Sequence, residues 1–303
     1  MPAPMIGKTR HATTVDDAAV AQPPALRKPA PPERKPGPAR GVLRSQPAAG
    51  AFHHARVAAP VVLQGFVQHF WLVRWDLRGQ PPQVRETLPH PNVHLVVERG
   101  LTRIFGVHGA RFTRVLEGQG CVFGVKFRPG GFHPFLQRPL STLADASLAL
   151  PEVFGSAGAP LEDDVLACAD QTGMIEVATR FFAERLPAPD ANIDLAAAIV
   201  ERIEQVRELT TVDAVVADTG LDKRALQRLF NEYVGVGPKW VINRFRLHEA
   251  LEQLAAGTVV DWSRLALDLG YFDQAHFIRD FRKLVGRTPA AYARETAAPA
   301  QRG

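Results

Sequence analysis

"LALDLGYFDQAHFIRDFRKLVGRTPAAY", from Leu265 to Tyr292, decides how the C-terminal part of this chain folds. Its apolar residues recur at three- and four-residue spacing, and Gly270 and Gly286 interrupt them. That pattern describes a helix, a tight turn and a second helix. Glycine suits both breaks because it takes the positive φ that ends a helix at little cost. Asp273 follows the turn, where its carboxylate can accept the backbone N–H groups left open at a helix start. Pro289 then begins the next element.

The same unit occurs earlier, as "VADTGLDKRALQRLFNEYVGVGP" (Val216–Pro238). Val216 and Gly220 answer to Ala266 and Gly270, Leu226 and Phe230 to Phe277 and Phe281. Val234, Gly235 and Pro238 answer to Val285, Gly286 and Pro289. The second copy carries one extra residue at Tyr271–Phe272. Thr211 and Asp261 are placed to cap the first helices, and Asp222 and Asp273 the second ones. Between the copies, Lys239–Ala256 has helical apolar spacing and Gly257 stops it. A helix of that length rises 1.5 Å per residue and spans about 27 Å. It can hold the two second helices roughly one DNA turn, ~34 Å, apart.

Core burial leaves polar faces on those second helices. Lys223, Arg224, Gln227 and Arg228 point outward in the first copy, and Gln274, His276, Ile278 and Arg279 in the second. Arg matches the acceptor pair of guanine, Gln pairs with adenine, and apolar groups meet the thymine methyl. Lys223, Lys239, Arg244, Arg264, Arg282 and Lys283 are candidates for phosphate contacts, which add affinity without sequence information.

This double unit resembles the AraC/XylS-type DNA-binding module. "RALQRLF" (Arg224–Phe230) resembles its first recognition helix, and Leu265–Tyr292 its second-half signature almost throughout. By position, the resemblance implies base-edge contacts from Arg224, Gln227, Arg228, Gln274, Ala275, His276 and Arg279. Val216 stands where Ala is usual, Ala275 where a small polar residue is usual, and Asp222 where Ser is common. Ala275 would then offer only a methyl contact.

The rest of the 303-residue chain is uneven in composition. Residues 1–56 hold nine Lys and Arg against three Asp and Glu and are rich in Pro and Ala. Such a segment reads as a disordered basic tail. Residues 211–296 hold twelve basic against eleven acidic residues, so the overall charge of +5 says nothing about DNA binding. From Val61, short β-branched and aromatic runs punctuated by Gly, Pro and Asn predict an antiparallel β domain ending near Leu140. Leu161–Leu186 and Ile193–Leu209 have helical spacing. The expected division is a tail over 1–56, a sensing or dimerising domain over 57–190, the DNA-binding domain over 191–296 and a short tail over 297–303. The fold class is α+β and multidomain: a mostly antiparallel β domain with following helices, then an all-α double helix-turn-helix domain.

The β domain offers weaker signals. "VFGVKFRPGGFHPFL" (Val122–Leu136), with "FWLVRWDL" and "LPHPNVHLVVE", resembles a poorly characterised domain found fused to such modules. His90, His94 and Glu98, with His108 or His133, could supply N and O ligands to a metal, or be ordinary surface and half-buried groups. "RPGGF" (Arg128–Phe132) could present backbone N–H groups to an anion, or be a turn. Trp71, Trp75, Phe105, Phe123 and Phe127 could line an apolar pocket, or be core. Trp71, His90, His94, Phe127 and Arg128 are the candidate effector-binding residues.

Cys121 and Cys168 are too few for a cysteine-built zinc site, which excludes the metal-cysteine chemistry of methyl-transferring DNA repair. No apolar run approaches the ~20 residues of a membrane span, and no signal peptide opens the chain. The expectation is a cytoplasmic, non-enzymatic, sequence-specific transcription regulator without a cofactor or bound metal. Double-stranded promoter DNA is its expected partner. RNA polymerase, a small-molecule effector and a second copy of the chain are further candidates, and no membrane is.

Overall fold

The structure is a computed structural model and describes residues 42–43, 51–257 and 261–297. Most of the tail expected over 1–56 lies outside the described residues, as do residues 298–303. Within the described part that expectation fails, because residues 51–56 are strand and Leu43 is buried at 2% exposure.

The strands in chain order are β1 (Val42–Leu43), β2 (Ala51–Ala58), β3 (Val67–Asp76), β4 (Gln83–Thr87) and β5 (His94–Val97). They continue with β6 (Arg103–Phe105), β7 (Phe112–Leu116), β8 (Gln119–Phe127) and β9 (Ser147–Leu148). Six of them form an antiparallel sheet in the order β2-β3-β8-β5-β6-β9, and β1-β4-β7 form a smaller one. The sheet extends past the expected end at Leu140, because β9 returns to pair with β6.

Side chains alternate across a strand, so the six-stranded sheet has two chemically different faces. One carries Phe70, Leu72, Leu95, Val97, Ile104, Phe123 and Val125, all at most 2% exposed. Each such residue contributes about 1.5–3 kcal/mol on burial. After the short helices α1 (His133–Leu136) and α2 (Leu150–Phe154), this face is packed by α3 (Leu161–Leu166) and α4 (Gln171–Ala183). The single helical stretch expected over Leu161–Leu186 is thus two helices. Asp170 accepts from the Gly173 N–H at 2.9 Å and starts the second.

The C-terminal part is all helical: α5 (Ala191–Gln205), α6 (Val212–Thr219), α7 (Lys223–Leu229), α8 (Pro238–Ala255), α9 (Trp262–Asp268), α10 (Gln274–Val285) and α11 (Pro289–Ala297). It contains two cores, and α8 serves both. Val241, Ile242 and Phe245 of α8 join Ile199 and Ile203 of α5, Val215 of α6 and Leu226 of α7. Further along, Leu247, Leu251 and Leu254 join Leu265 of α9, Phe277 and Phe281 of α10, and Tyr292 of α11. Leu43 of β1 and Leu88, just past β4, complete this second core.

The two parts meet along a polar seam as well. Arg128 pairs with Asp194 of α5 at 2.9 Å, and His133 with Glu232 at 2.8 Å. Arg111 donates to the Val285 carbonyl at 2.6 Å, and Glu86 pairs with both Arg111 (3.2 Å) and Arg287 (2.7 Å).

Candidate nucleic-acid interface

Each helical unit is built by the caps its sequence supplies. Thr211 accepts from the Ala214 N–H at 3.1 Å, and Asp222 from Arg224 and Ala225 at 2.8 and 2.9 Å. Asp261 accepts from Ser263 and Arg264, and Asp273 from His276 at 2.7 Å. Each such cap stabilises its helix by about 1 kcal/mol. Gly220 and Gly270 adopt φ of +71° and +78° in the two turns. The units then differ. After α7 the helix widens at Phe230–Val234 into a π turn, closed by the Gly235 N–H on the Phe230 carbonyl at 2.8 Å. A side chain at Gly235 would press on the Leu140 carbonyl, so this widened end is seated on the β domain.

Apolar residues of α7 and α10 face inward, and the opposite faces are open. Lys223, Arg224, Gln227 and Arg228 are exposed on α7, as are Ala275, His276, Arg279, Arg282 and Lys283 on α10. Ala275, Ile278, Arg279, Arg282 and Lys283 line one open depression along α10. Local ties hold some candidates: Lys223 to Asp213 (3.0 Å), Arg264 to Asp268 (3.0 Å), Gln274 to Ser263 (3.1 Å) and His276 to Asp280 (3.6 Å). The side chains of Arg224, Gln227, Arg228, Lys239, Arg279, Arg282 and Lys283 have no partner among the described residues.

One phosphate candidate is overturned. Arg244 is 1% exposed, donates to the Gly109 carbonyl at 2.6 Å and lies 4.4 Å over the Trp240 ring. Burial lowers its pKa to about 10. It ties α8 to the β domain and cannot reach a phosphate. Phe272 was missed: it is 88% exposed in the extra-residue turn just before α10. Only the insertion at Tyr271–Phe272 hinted at it.

The effector candidates do not converge as a set. Phe127 is 0% exposed and belongs to the core. Arg128 is spent on Asp194 and on the Gln64 and Gly65 carbonyls, at 3.3 and 3.2 Å. Its RPGGF loop packs on α5, where a side chain at Gly130 would meet Ile193 at 3.3 Å. His90 stacks on His248 of α8 at 4.3 Å between ring centroids. Glu98 pairs with Arg114, and no metal-binding cluster occurs among the described residues. Only Trp71 and His94 come together, with ring centroids 6.4 Å apart on the second face of the large sheet. Sequence reasoning missed their neighbours His69 and Lys126, although Lys126 is the one charge inside the apolar run "CVFGVKF".

Two capped helix-turn-helix units with open basic faces, braced by one shared helix, define a paired helix-turn-helix protein. Residues 215–295 match the model of a helix-turn-helix domain, and residues 55–149 that of a domain of unknown function (DUF6597). Residues 215–295 of the chain are accordingly a helix-turn-helix domain. The chain is 33% identical over 98 residues to the F1 operon positive regulatory protein of Yersinia pestis, covering 31% of itself and 32% of that protein. It thus spans about a third of that relative's length. Among solved structures, it resembles an AraC-type transcriptional regulator from Chromobacterium violaceum, at 26% identity, 34% of this chain, 91% of the other and a TM-score of 0.30. It also resembles ToxT from Vibrio cholerae, at 10% identity, 82% of this chain, 98% of the other and a TM-score of 0.33. No helix among the described residues is long and apolar enough to cross a membrane.

Proposed function

We propose that this chain is a sequence-specific DNA-binding transcription regulator that acts in the cytoplasm without catalysing a reaction. The observation that carries this reading is the outward set Arg224, Gln227 and Arg228 on α7 and Arg279 on α10, whose side chains have no partner among the described residues. Those side chains sit on the two elements whose fold class enters a major groove. The base-reading set is Arg224, Gln227, Arg228, Gln274, Ala275, His276 and Arg279, with Phe272 added as an apolar contact for a thymine methyl or sugar. Lys223, Lys239, Arg264, Arg282 and Lys283 supply phosphate contacts. α8, 18 residues long and about 27 Å, sets the spacing between the two reading helices.

The residues before α5 form a control domain that receives a small molecule or a second copy of the chain and alters the grip on DNA. RNA polymerase is the natural further partner at the promoter. The seam of Arg111, Glu86, Arg287, Arg128 and His133 supports this reading, because it ties the control domain to both helical units.

The test uses the full chain. Selection from a random duplex library, followed by mobility shift, should return one motif with two segments about one helical turn apart. Equal affinity for every duplex would overturn sequence-specific reading.

A further inference from the structure

The second face of the six-stranded sheet carries a concentration of buried basic and N–H groups that the DNA-binding reading does not use. His69 on β3, Lys126 on β8 and His94 on β5 are direct cross-strand neighbours, because His69 and His94 both register with Lys126. Neighbours of this kind project from one face about 5 Å apart. Trp71 is two residues along β3 from His69, on the same face, and registers with Gly124. A side chain at Gly124 would overlap the indole, so glycine is what lets the ring lie across β8. Arg56 faces Trp71 from β2.

This arrangement is costly in itself. Lys126 is 9% exposed, and its ammonium has no hydrogen bond or ion pair among the described residues. The Trp71 indole N–H and His108 Nε2 are fully buried without a partner among the described residues. Native interiors seldom leave such groups unmet, because each costs about 1–3 kcal/mol and a charge costs more. The charges that reach the site are mostly of one sign. Burial, then Arg56, lowers the Lys126 pKa to about 8, opposed only by Glu204 of α5. Burial, then Lys126, lowers His69 to about 3, and the same causes hold His94 well below its usual value. At neutral pH the site is therefore one ammonium flanked by two neutral imidazoles, each with an N–H to donate.

We propose that Lys126, His69, His94 and the Trp71 indole N–H bind the anionic head of a small organic acid, a carboxylate or a phosphate monoester. The converging donors match acceptor oxygens, and the Trp71 and Phe105 rings offer apolar surface to the body of the molecule. The site is also linked to the DNA-binding part. β5 carries His94, and four residues earlier His90 stacks on His248 of α8, the helix shared by both reading units. The role as an effector site rests on the regulator reading above, whereas the site itself rests on the sheet.

Calorimetry on the full chain with acetate, phenylacetate and inorganic phosphate tests the site and separates the two head groups. At least one should bind saturably and raise the melting temperature, and Lys126→Met should weaken it by about tenfold or more. Without any anion, Lys126→Met should melt at or above the wild type, because a largely buried charge with no partner among the described residues has been removed. Trp71→Phe should also weaken binding while leaving the fold intact. Three results each overturn the proposal: no saturable binding of any of the three, unchanged binding by Lys126→Met, or a lower anion-free melting temperature in that variant. Mobility shifts run alongside judge the two readings separately. If an anion binds but leaves DNA affinity unaltered, the site stands and the effector role falls. Absence of any DNA binding would remove the regulator reading and leave the calorimetric result in place.

Discussion

Arg111 donates from Nη1 to the carbonyl oxygen of Val285 at 2.6 Å. Val285 is the last residue of α10, so a side chain of the β domain caps the helix proposed to read the second half-site. A cation at a helix C-terminus also meets the negative end of the helix dipole.

Arg111→Ala should therefore loosen the final turn of α10. The Arg111 side chain is 36% exposed, so the stability loss should be modest, about 0.5–1.5 kcal/mol. Hydrogen exchange at Arg282–Gly286 should quicken more than at the corresponding end of the first unit. Unchanged exchange there would show that the contact does not restrain the helix.

Arg228→Ala and Arg279→Ala should each lose about 1–3 kcal/mol on the selected site and relax specificity at one base position. Loss on a random duplex should be far smaller. Equal losses on both would assign these arginines to the phosphates.

Arg282→Ala and Arg244→Ala should behave in opposite ways. Removing the exposed Arg282 should reduce the salt dependence of DNA binding by about one unit of slope and leave folding alone. Removing the buried Arg244 should leave the slope unaltered and destabilise the chain by about 2–4 kcal/mol, through a cavity and an orphaned Gly109 carbonyl. Salt titrations and chemical denaturation of the two variants distinguish them.

Acid should weaken the fold before carboxylates begin to titrate. An unfolded His69 takes up its proton near pH 6.5, but in the folded chain burial and Lys126 delay this to about 3. The unfolded state thus holds more protons between those values. Stability present above pH 6.5 is lost as pH falls, by up to about 1.4 kcal/mol per pH unit for each such imidazole. Denaturation curves from pH 7 to 4 should show the decline, and His69→Asn should flatten it. An equally steep decline in that variant would place the effect elsewhere.

The helical units were readable because each of their devices is local. A cap, a glycine at positive φ and a three-to-four spacing lie within one turn of one another, and Asp222, Asp273, Gly220 and Gly270 all stand where their spacing placed them. Arg244 misled because its partners, Gly109 and Trp240, include a residue far away in the chain. On a helix wheel it is one more basic side chain. Leu43 was lost for the same reason, since a two-residue strand in a Pro-rich, basic segment has no periodicity to detect. His69 and Lys126 become neighbours only through strand register, and nothing in a linear sequence announces which strands will lie side by side.

Leu88 sits at 0% exposure in the same core as Phe277 and Phe281, and that fact reaches beyond stability. A core assembled from segments nearly two hundred residues apart depends on contacts distant in the sequence, and folding slows as such contacts come to dominate. The second helical unit is therefore complete only where the β domain supplies Leu43 and Leu88. A chain cut at the apparent domain border would carry a first unit near completion and a second with a greasy hole in its side.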